Sequence, residues 1–374
     1  MSWEKVNFLD VVKDITGGNR KFLGSEYETE GLYPIIDQGV TLVGGYTDSN
    51  EVVNRTKAVV VFGDHTKALK FLDFDFCLGA DGVKILQPDD MLDSKFLYYY
   101  LGMIQLPDVG YSRHYKFLKE IKIPLPPLPI QKKIADILDK ADALRKKDQQ
   151  LLQKYDELAQ AIFIDMFGDP VKNEKGWEVK KMGECLDKIQ IGPFGTQLHE
   201  SDYISDGVPL INPMHIGNLK IKPNYKYSIS KEKFEELPQY HLIEGDVILA
   251  RRGEMGRCAI VTGLEAGYLC GTGSLFLKAT KAKLDPHFLV YFLSRESTKE
   301  SLERSAAGAI MANLNKTILQ NFEIILPPIK LQITFRNSIL INQQSIDLMK
   351  DNIQISESLF QSLLQQAFKG ELIA

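Results

Sequence analysis

The chain has 374 residues, 44% of them hydrophobic, 25% charged and 10% aromatic, the values of an ordinary globular protein with material for two or three domains. A net charge of −4, from 45 basic and 49 acidic residues, argues against a protein that coats nucleic acid without selectivity. No stretch reaches the roughly 18 uninterrupted apolar residues of a membrane span, and Met1-Ser2-Trp3-Glu4-Lys5 does not open a secretory signal. The four cysteines (Cys77, Cys185, Cys258, Cys270) form no Cys-x-x-Cys pair, which disfavours a disulfide framework and a zinc knuckle alike. The expectation is a soluble cytoplasmic protein without a membrane partner.

Trp3-Glu4 opens the first half and Trp177-Glu178 the second. Between them the chain reads as short strands and turns. Lys57–Gly63 and Gly245–Ala250 are strand-like, and Gly79–Leu86 parallels Gly271–Lys278. A short helix follows each, Ser94–Leu101 and Pro286–Leu293. Then come two proline straps, Ile123-Pro-Leu-Pro-Pro-Leu-Pro-Ile-Gln131 and Ile324-Ile-Leu-Pro-Pro-Ile-Lys-Leu-Gln332, separated by a constant offset of 201 residues. The same offset pairs Gln153 with Gln354, Leu158 with Leu359, Gln160 with Gln361 and Phe167 with Phe368. An internal duplication explains anchors that recur in order.

Proline fixes φ and biases the residue before it away from helix, so each strap is a semi-rigid lead into a helix start. Residues 130–167 contain no Gly or Pro, and Ile137, Leu144, Leu151 and Leu158 recur every seven residues. In the second copy Ile339, Ile346, Ile353 and Phe360 do the same. These eight side chains are the expected packing seam of two long helices, whose simplest partner is each other. Asp136–Lys140 and Asp142–Lys146 add acid-before-base pairs four residues apart. The fold class is α+β: an internal repeat of globular segments at 1–129 and 170–328, each followed by a long helix, at 130–169 and 329–374.

Signatures of catalysis are missing. No phosphate-binding Gly-x-x-x-x-Gly-Lys-Ser/Thr loop, dinucleotide fingerprint or nucleophile elbow occurs, and the six histidines never stand at metal-ligand spacing. What recurs instead is polar loops flanked by glycine. The candidate DNA contacts they carry are Arg20 and Lys21, His65 and Lys67, then Arg113, His114 and Lys116 in the first half. In the second half they are Thr196 and Gln197, then Arg251, Arg252 and Arg257, then Asn313, Asn315 and Lys316. Arginine can bridge guanine O6 and N7, Asn or Gln can bridge adenine N6 and N7, and lysine suits phosphate. The same pattern also fits a coiled-coil interaction scaffold that never touches DNA.

At these residues the chain resembles the specificity (HsdS) subunits of type I restriction-modification systems. The resemblance is carried by the two straps, the helix ends Leu158–Phe163 and Gln361–Phe368, the opening Trp177-Glu-Val, and Ile191–Leu198 followed by Gly207–Ile211. The first half departs from the pattern, having no Gly-Pro-Phe-Gly loop and a looser Gly31–Ile36. The resemblance implies a non-catalytic subunit whose two target-recognition domains each read half of a bipartite double-stranded DNA site. The fold it implies has two tandem target-recognition domains, 1–129 and 170–328, related by a pseudo-two-fold repeat. Its two spacer helices, 130–169 and 329–374, would pack as an antiparallel coiled coil that sets the gap. Two modification (methyltransferase) subunits and restriction subunits would be the partners. S-adenosylmethionine, ATP and Mg are then expected on those partners, with no cofactor or metal bound by this chain.

Overall fold

The computed structural model describes residues 3–80, 82–107, 110, 112–253, 256–306 and 313–373. These form two compact units, one from residues 1–151 with 349–374, the other from residues 152–348. Each unit takes one part of both long helices, Leu128–Phe167 and Ile329–Lys369.

In the first unit the apolar strand Val59–Gly63 lies between Leu69–Leu72 and Val83–Pro88, and Val12–Asp14 completes an antiparallel sheet. All five residues of Val59–Gly63 are buried, as the unbroken Val-Val-Val-Phe run requires of a central strand. A second sheet orders Lys21–Phe22, Cys77–Gly79, Tyr33–Ile36 and Gly45–Thr47, the first two pairings parallel. The second unit repeats this plan. Val247–Ala250 lies between Cys258–Ile260 and Ser274–Ala279, with Leu186–Ile191 at the edge. Each unit also joins its opening strand to the strand before the strap: Lys5–Asn7 with Lys122–Pro124, and Val179–Lys181 with Glu323–Ile325.

The straps end in matched glutamines that are completely buried. Gln131 Oε1 accepts from the Asp93 N–H at 2.8 Å, and its Nε2 donates to the carbonyls of Met91 and Pro126, both at 2.8 Å. Gln332 does the same with the Asp285 N–H (2.8 Å), Lys283 O (3.1 Å) and Pro327 O (2.7 Å). Asp93 and Asp285 in turn cap the helices Ser94–Met103 and Pro286–Ser294. One side chain thus fastens strap, loop and helix start in each copy.

The long helices run antiparallel. In the first unit Ile134, Leu138 and Ala141 share a core with Phe360, Leu364 and Ala367, and Arg145 pairs with Glu357 at 3.0 Å. In the second, Ala159, Phe163 and Phe167 share one with Phe335 and Ile339, and Asn342 Nδ2 donates to Tyr155 O at 2.9 Å. Ile339, Ile346 and Phe360 are buried and Ile353 is half-buried, as their spacing predicts. The seam on the first helix is different. Ile137 and Leu151 are half-buried, but Leu144 and Leu158 are 47% and 45% exposed. The better-covered track lies one position further on, where Leu138 and Ala159 are buried and Arg145 and Leu152 half-buried. The helix turns that face inward because it must cover the aromatic helix of its own unit as well as its partner. An alanine and an arginine on that track hide it from a count of leucines. The Arg145 guanidinium lies 4.6 Å above the Phe360 ring, so its stem fills apolar space while its head reaches the acids.

Candidate nucleic-acid interface

In the first unit the central strand ends at Gly63, where an added Cβ would lie 2.2 Å from Thr66 Oγ1 and 3.0 Å from Gln38 O. The loop after Tyr33–Ile36 therefore closes directly over the loop after Val59–Gly63. Asp64, buried, ties in two more loops. Its N–H donates to Gly82 O (2.6 Å), its carbonyl accepts from the His114 N–H (2.8 Å), and its carboxylate accepts from the Tyr115 N–H (2.7 Å). The buried Lys70 ammonium donates to Asp37 O at 2.8 Å and Asp37 Oδ1 at 3.4 Å. Burial holds its pKa below the usual lysine range, against the pull of Asp37.

The second unit builds an equivalent cluster. Arg251 follows Val247–Ala250 as Asp64 follows Val59–Gly63. Its N–H donates to Gly273 O (3.0 Å), and its carbonyl accepts from the Leu314 N–H (3.1 Å), the counterpart of the His114 bond. Close approach recurs at Gly192, where a Cβ would stand 1.9 Å from Gly271 O. Asp37-Gln38 and Asn212-Pro213 occupy equivalent loop starts, after Tyr33–Ile36 and Val208–Ile211. Sequence reading singled out none of these four residues for the interface. The available signal was their position, immediately after strands that the duplication aligns.

Two of the expected DNA contacts are instead structural. His114 is 1% exposed, its Nδ1 held 3.0 Å from Asp64 O. Arg251 is 5% exposed and its Nε donates to Leu314 O at 3.1 Å. Burial, with Arg252 adding a second positive charge, pulls its pKa below the usual arginine range. Both side chains close the strand-to-loop junction that positions their exposed neighbours.

The remaining candidates divide between the two clusters. In the first, Arg20 is exposed but spans Glu26 and Glu51 and lies over Phe22, while Lys21 is exposed beside it. His65 is half-buried, its N–H 3.4 Å from Gln38 Oε1, and Lys67, at φ +60°, donates to Pro107 O at 3.4 Å. Arg113 and Lys116 are exposed, Lys116 beside the Phe117 ring. In the second, Thr196, Arg252 and Lys316 are exposed. Gln197 accepts from the Tyr240 hydroxyl at 2.6 Å, and Arg257 is half-buried with a contact to Pro213 O at 3.5 Å. Asn313 is half-buried, and Asn315 caps the helix Lys316–Asn321 through the Ile318 N–H at 2.9 Å. Within the Arg251–Arg257 loop, Glu254 and Met255 lie outside the described residues, as does Ala312 of the loop before Asn313. Two apolar side chains missed by the sequence reading stand out beside these donors: Phe194 (55% exposed) and Met214.

The chemistry available is that of recognition. Exposed guanidinium, ammonium, hydroxyl and apolar groups sit on loops fixed from beneath by buried hydrogen bonds. All four cysteines are buried and unpaired, and burial pushes the Cys258 thiol up to about 12. No group of His, Cys, Asp and Glu able to hold a metal occurs among the described residues.

The type I restriction modification DNA specificity domain, as a family profile, matches residues 2–154 and again residues 174–363. The chain belongs to this family. Among its curated relatives, the type I restriction enzyme MjaVIII specificity subunit of Methanocaldococcus jannaschii is 26% identical, across 88% of this chain and 83% of that one. The type I restriction enzyme EcoBI specificity subunit of Escherichia coli is 25% identical across 78% and 68%. In fold, the chain is similar to the S subunit of a type I restriction-modification system from M. genitalium. That match has a TM-score of 0.59 at 18% identity, covering 98% of this chain and 96% of that one. Two specificity domains in tandem account for the duplicated loop clusters.

Arg252 allows the sharpest test of what a cluster does. It is exposed, next to the buried Arg251. Arg252→Ala is expected to cost about 1–3 kcal/mol at a single base pair if the guanidinium reads guanine. Uniform weakening on every sequence, with a flatter salt dependence, identifies a phosphate contact instead. Competition binding with single-base variants of the target distinguishes them.

Proposed function

We propose that this specificity subunit reads a bipartite double-stranded DNA target, one half-site for each loop cluster, and scaffolds the adenine methyltransferase and restriction subunits around it. The observation that carries the reading is the repetition of one loop cluster in both units, each with exposed donors on a buried hydrogen-bonded frame. Thr196, Arg252, Arg257 and Lys316 are the contacts proposed for the second half-site. Arg20, Lys21, His65, Lys67, Arg113 and Lys116 are those proposed for the first. The chain itself is non-catalytic in this reading; S-adenosylmethionine, ATP and Mg belong to the partner subunits, and the assembly works in the cytoplasm. No helix among the described residues is long and apolar enough to cross a membrane.

Support for protein partners comes from the second long helix, which leaves Ile341, Leu348 and Ile355 more than 60% exposed at seven-residue spacing. One apolar side chain every second turn is the pattern that receives another helix.

The paired helices are proposed to set the gap between half-sites. Inserting seven residues after Gln149 and seven after Lys350 adds roughly 10 Å of helix, about three base-pair steps. Methylation-motif sequencing of a host carrying the variant is expected to show a lengthened gap between unchanged end bases. Altered end bases with an unaltered gap would refute the ruler role.

A further inference from the structure

Each unit carries an exposed apolar tip on an equivalent loop, the one that leaves the strand running parallel to its neighbour. In the first unit this loop spans residues 37–44 and joins Tyr33–Ile36 to Gly45–Thr47. Val40 is 89% exposed and Leu42 50%, while Val43 turns in against the core of Val59, Val61 and Phe76. In the second unit Met214 is 62% exposed in the turn after Val208–Ile211. A single exposed apolar residue is ordinary on a protein surface. Two at equivalent loop positions, each beside the polar donors of its own cluster, make a pattern.

Both tips are held outward by what lies beneath them. Asp37 Oδ1 accepts from the Gly39 N–H at 2.8 Å, and the buried Lys70 ammonium donates to Asp37 O at 2.8 Å. The Gly44 N–H donates to Ile35 O at 2.9 Å and closes the far side of the loop. Thr66 Oγ1 donates to Gln38 O, and Thr66 stands between His65 and Lys67, so the tip rises beside those two residues. Met214 is fixed by its neighbours. Pro213 Cδ would stand 2.9 Å from a Cβ on Gly273, and Arg257 reaches Pro213 O at 3.5 Å. On the other side His215 is buried, its Nδ1 2.9 Å from Leu210 O.

The composition of the first loop narrows what its tip can meet. Gln38-Gly-Val-Thr-Leu-Val-Gly44 contains no charged side chain, so attraction for phosphate falls to the lysines and arginines around it. Aliphatic groups complement one feature of duplex DNA, the thymine 5-methyl in the major groove. Valine is short and stiff at χ1, which suits contact with a methyl group better than insertion between stacked bases, where longer side chains serve.

We propose that Val40 and Leu42 read thymine 5-methyl groups in the first half-site, and that Met214 does so in the second. The inference rests on the function proposed above and adds a base class to it: each half-site holds at least one thymine whose methyl contributes to affinity.

The test uses the full-length protein with its modification subunits, on duplexes of the target that methylation-motif sequencing defines. Each thymine in turn is replaced by deoxyuridine, which removes the methyl and keeps every hydrogen-bonding group. At one thymine or more in each half-site, binding by the parent is expected to weaken about fourfold, the value of one buried methyl. Val40→Ser/Leu42→Ser is expected to remove the uracil effect in the first half-site and to keep it in the second. Met214→Ser does the reverse. All three positions are exposed, and thermal melting verifies that the variants are folded. A half-site without thymine, a parent indifferent to every uracil, or a uracil effect that persists in folded variants overturns the inference. Variants that weaken all duplexes alike while the parent ignores uracil identify a wedge or a general contact, and overturn it too. These outcomes leave the recognition function standing, whereas a parent complex that binds no DNA removes that function and the inference together.

Discussion

Gln332→Ala is expected to destabilise the second unit by about 3–6 kcal/mol, more than most single substitutions. The side chain is fully buried and makes three hydrogen bonds, all to backbone groups. Truncation strands the Asp285 N–H and the carbonyls of Lys283 and Pro327 at once. Each stranded group costs roughly 1–3 kcal/mol, because water is not at hand to replace the lost partner. Asp285 also caps the helix that carries Phe288 and Phe292 into the core. Trp177 provides the signal, since its Nε1 donates to Phe167 O at 2.9 Å and its ring packs against that core. Urea denaturation followed by tryptophan fluorescence, with Trp3 replaced by phenylalanine to isolate Trp177, measures the change. A loss below 1 kcal/mol would mean that solvent reaches these groups and that the glutamine is not a lock.

That lock shows where sequence reading succeeds and where it stops. The duplication of Gln131 in Gln332 is legible, since both stand at the end of a proline strap that tolerates few conformations. Its role is not, because two of the three bonded groups in each copy lie about 40 to 50 residues away along the chain. The second helix reveals its inner face through isoleucine and phenylalanine, which belong to an interior. The first conceals part of its face in Ala159 and Arg145, residues that serve surface and interior equally. The loops that make each candidate site are legible in position through their glycines. Which side chain faces out is not. Arg251 and Arg252 are adjacent and chemically identical, yet Arg251 is buried with its Nε donating to Leu314 O, 63 residues on, and Arg252 is exposed.

A fragment of residues 1–169 is expected to form a stable dimer, because the two long helices occupy equivalent environments. In the first unit Phe368 meets Phe96 at 5.0 Å and Tyr100 at 5.2 Å between ring centroids. In the second unit Phe167 meets Phe288, the counterpart of Phe96, at 4.8 Å. The fragment lacks Phe360, Leu364 and Phe368, and so leaves Phe96, Tyr99, Tyr100 and Leu138 uncovered. At an offset of 201 residues the missing side chains correspond to Ala159, Phe163 and Phe167, which the fragment itself carries. A second copy, laid antiparallel, supplies them. The charge pattern survives the exchange, since Asp156 takes the place of Glu357 opposite Arg145. Each apolar side chain buried is worth roughly 1.5–3 kcal/mol, and the exchange buries several in both copies. Against this stand Ala159 where Phe360 was, and two copies of Asp148 brought near the two-fold axis. Asp148→Asn is therefore expected to tighten the dimer, and Phe167→Asp to split it. With modification subunits, the dimer is expected to methylate a palindrome made of the first half-site and its inverse. Light scattering of the folded fragment decides the physical claim: a monomer at tens of micromolar would show that the two helices are not interchangeable partners.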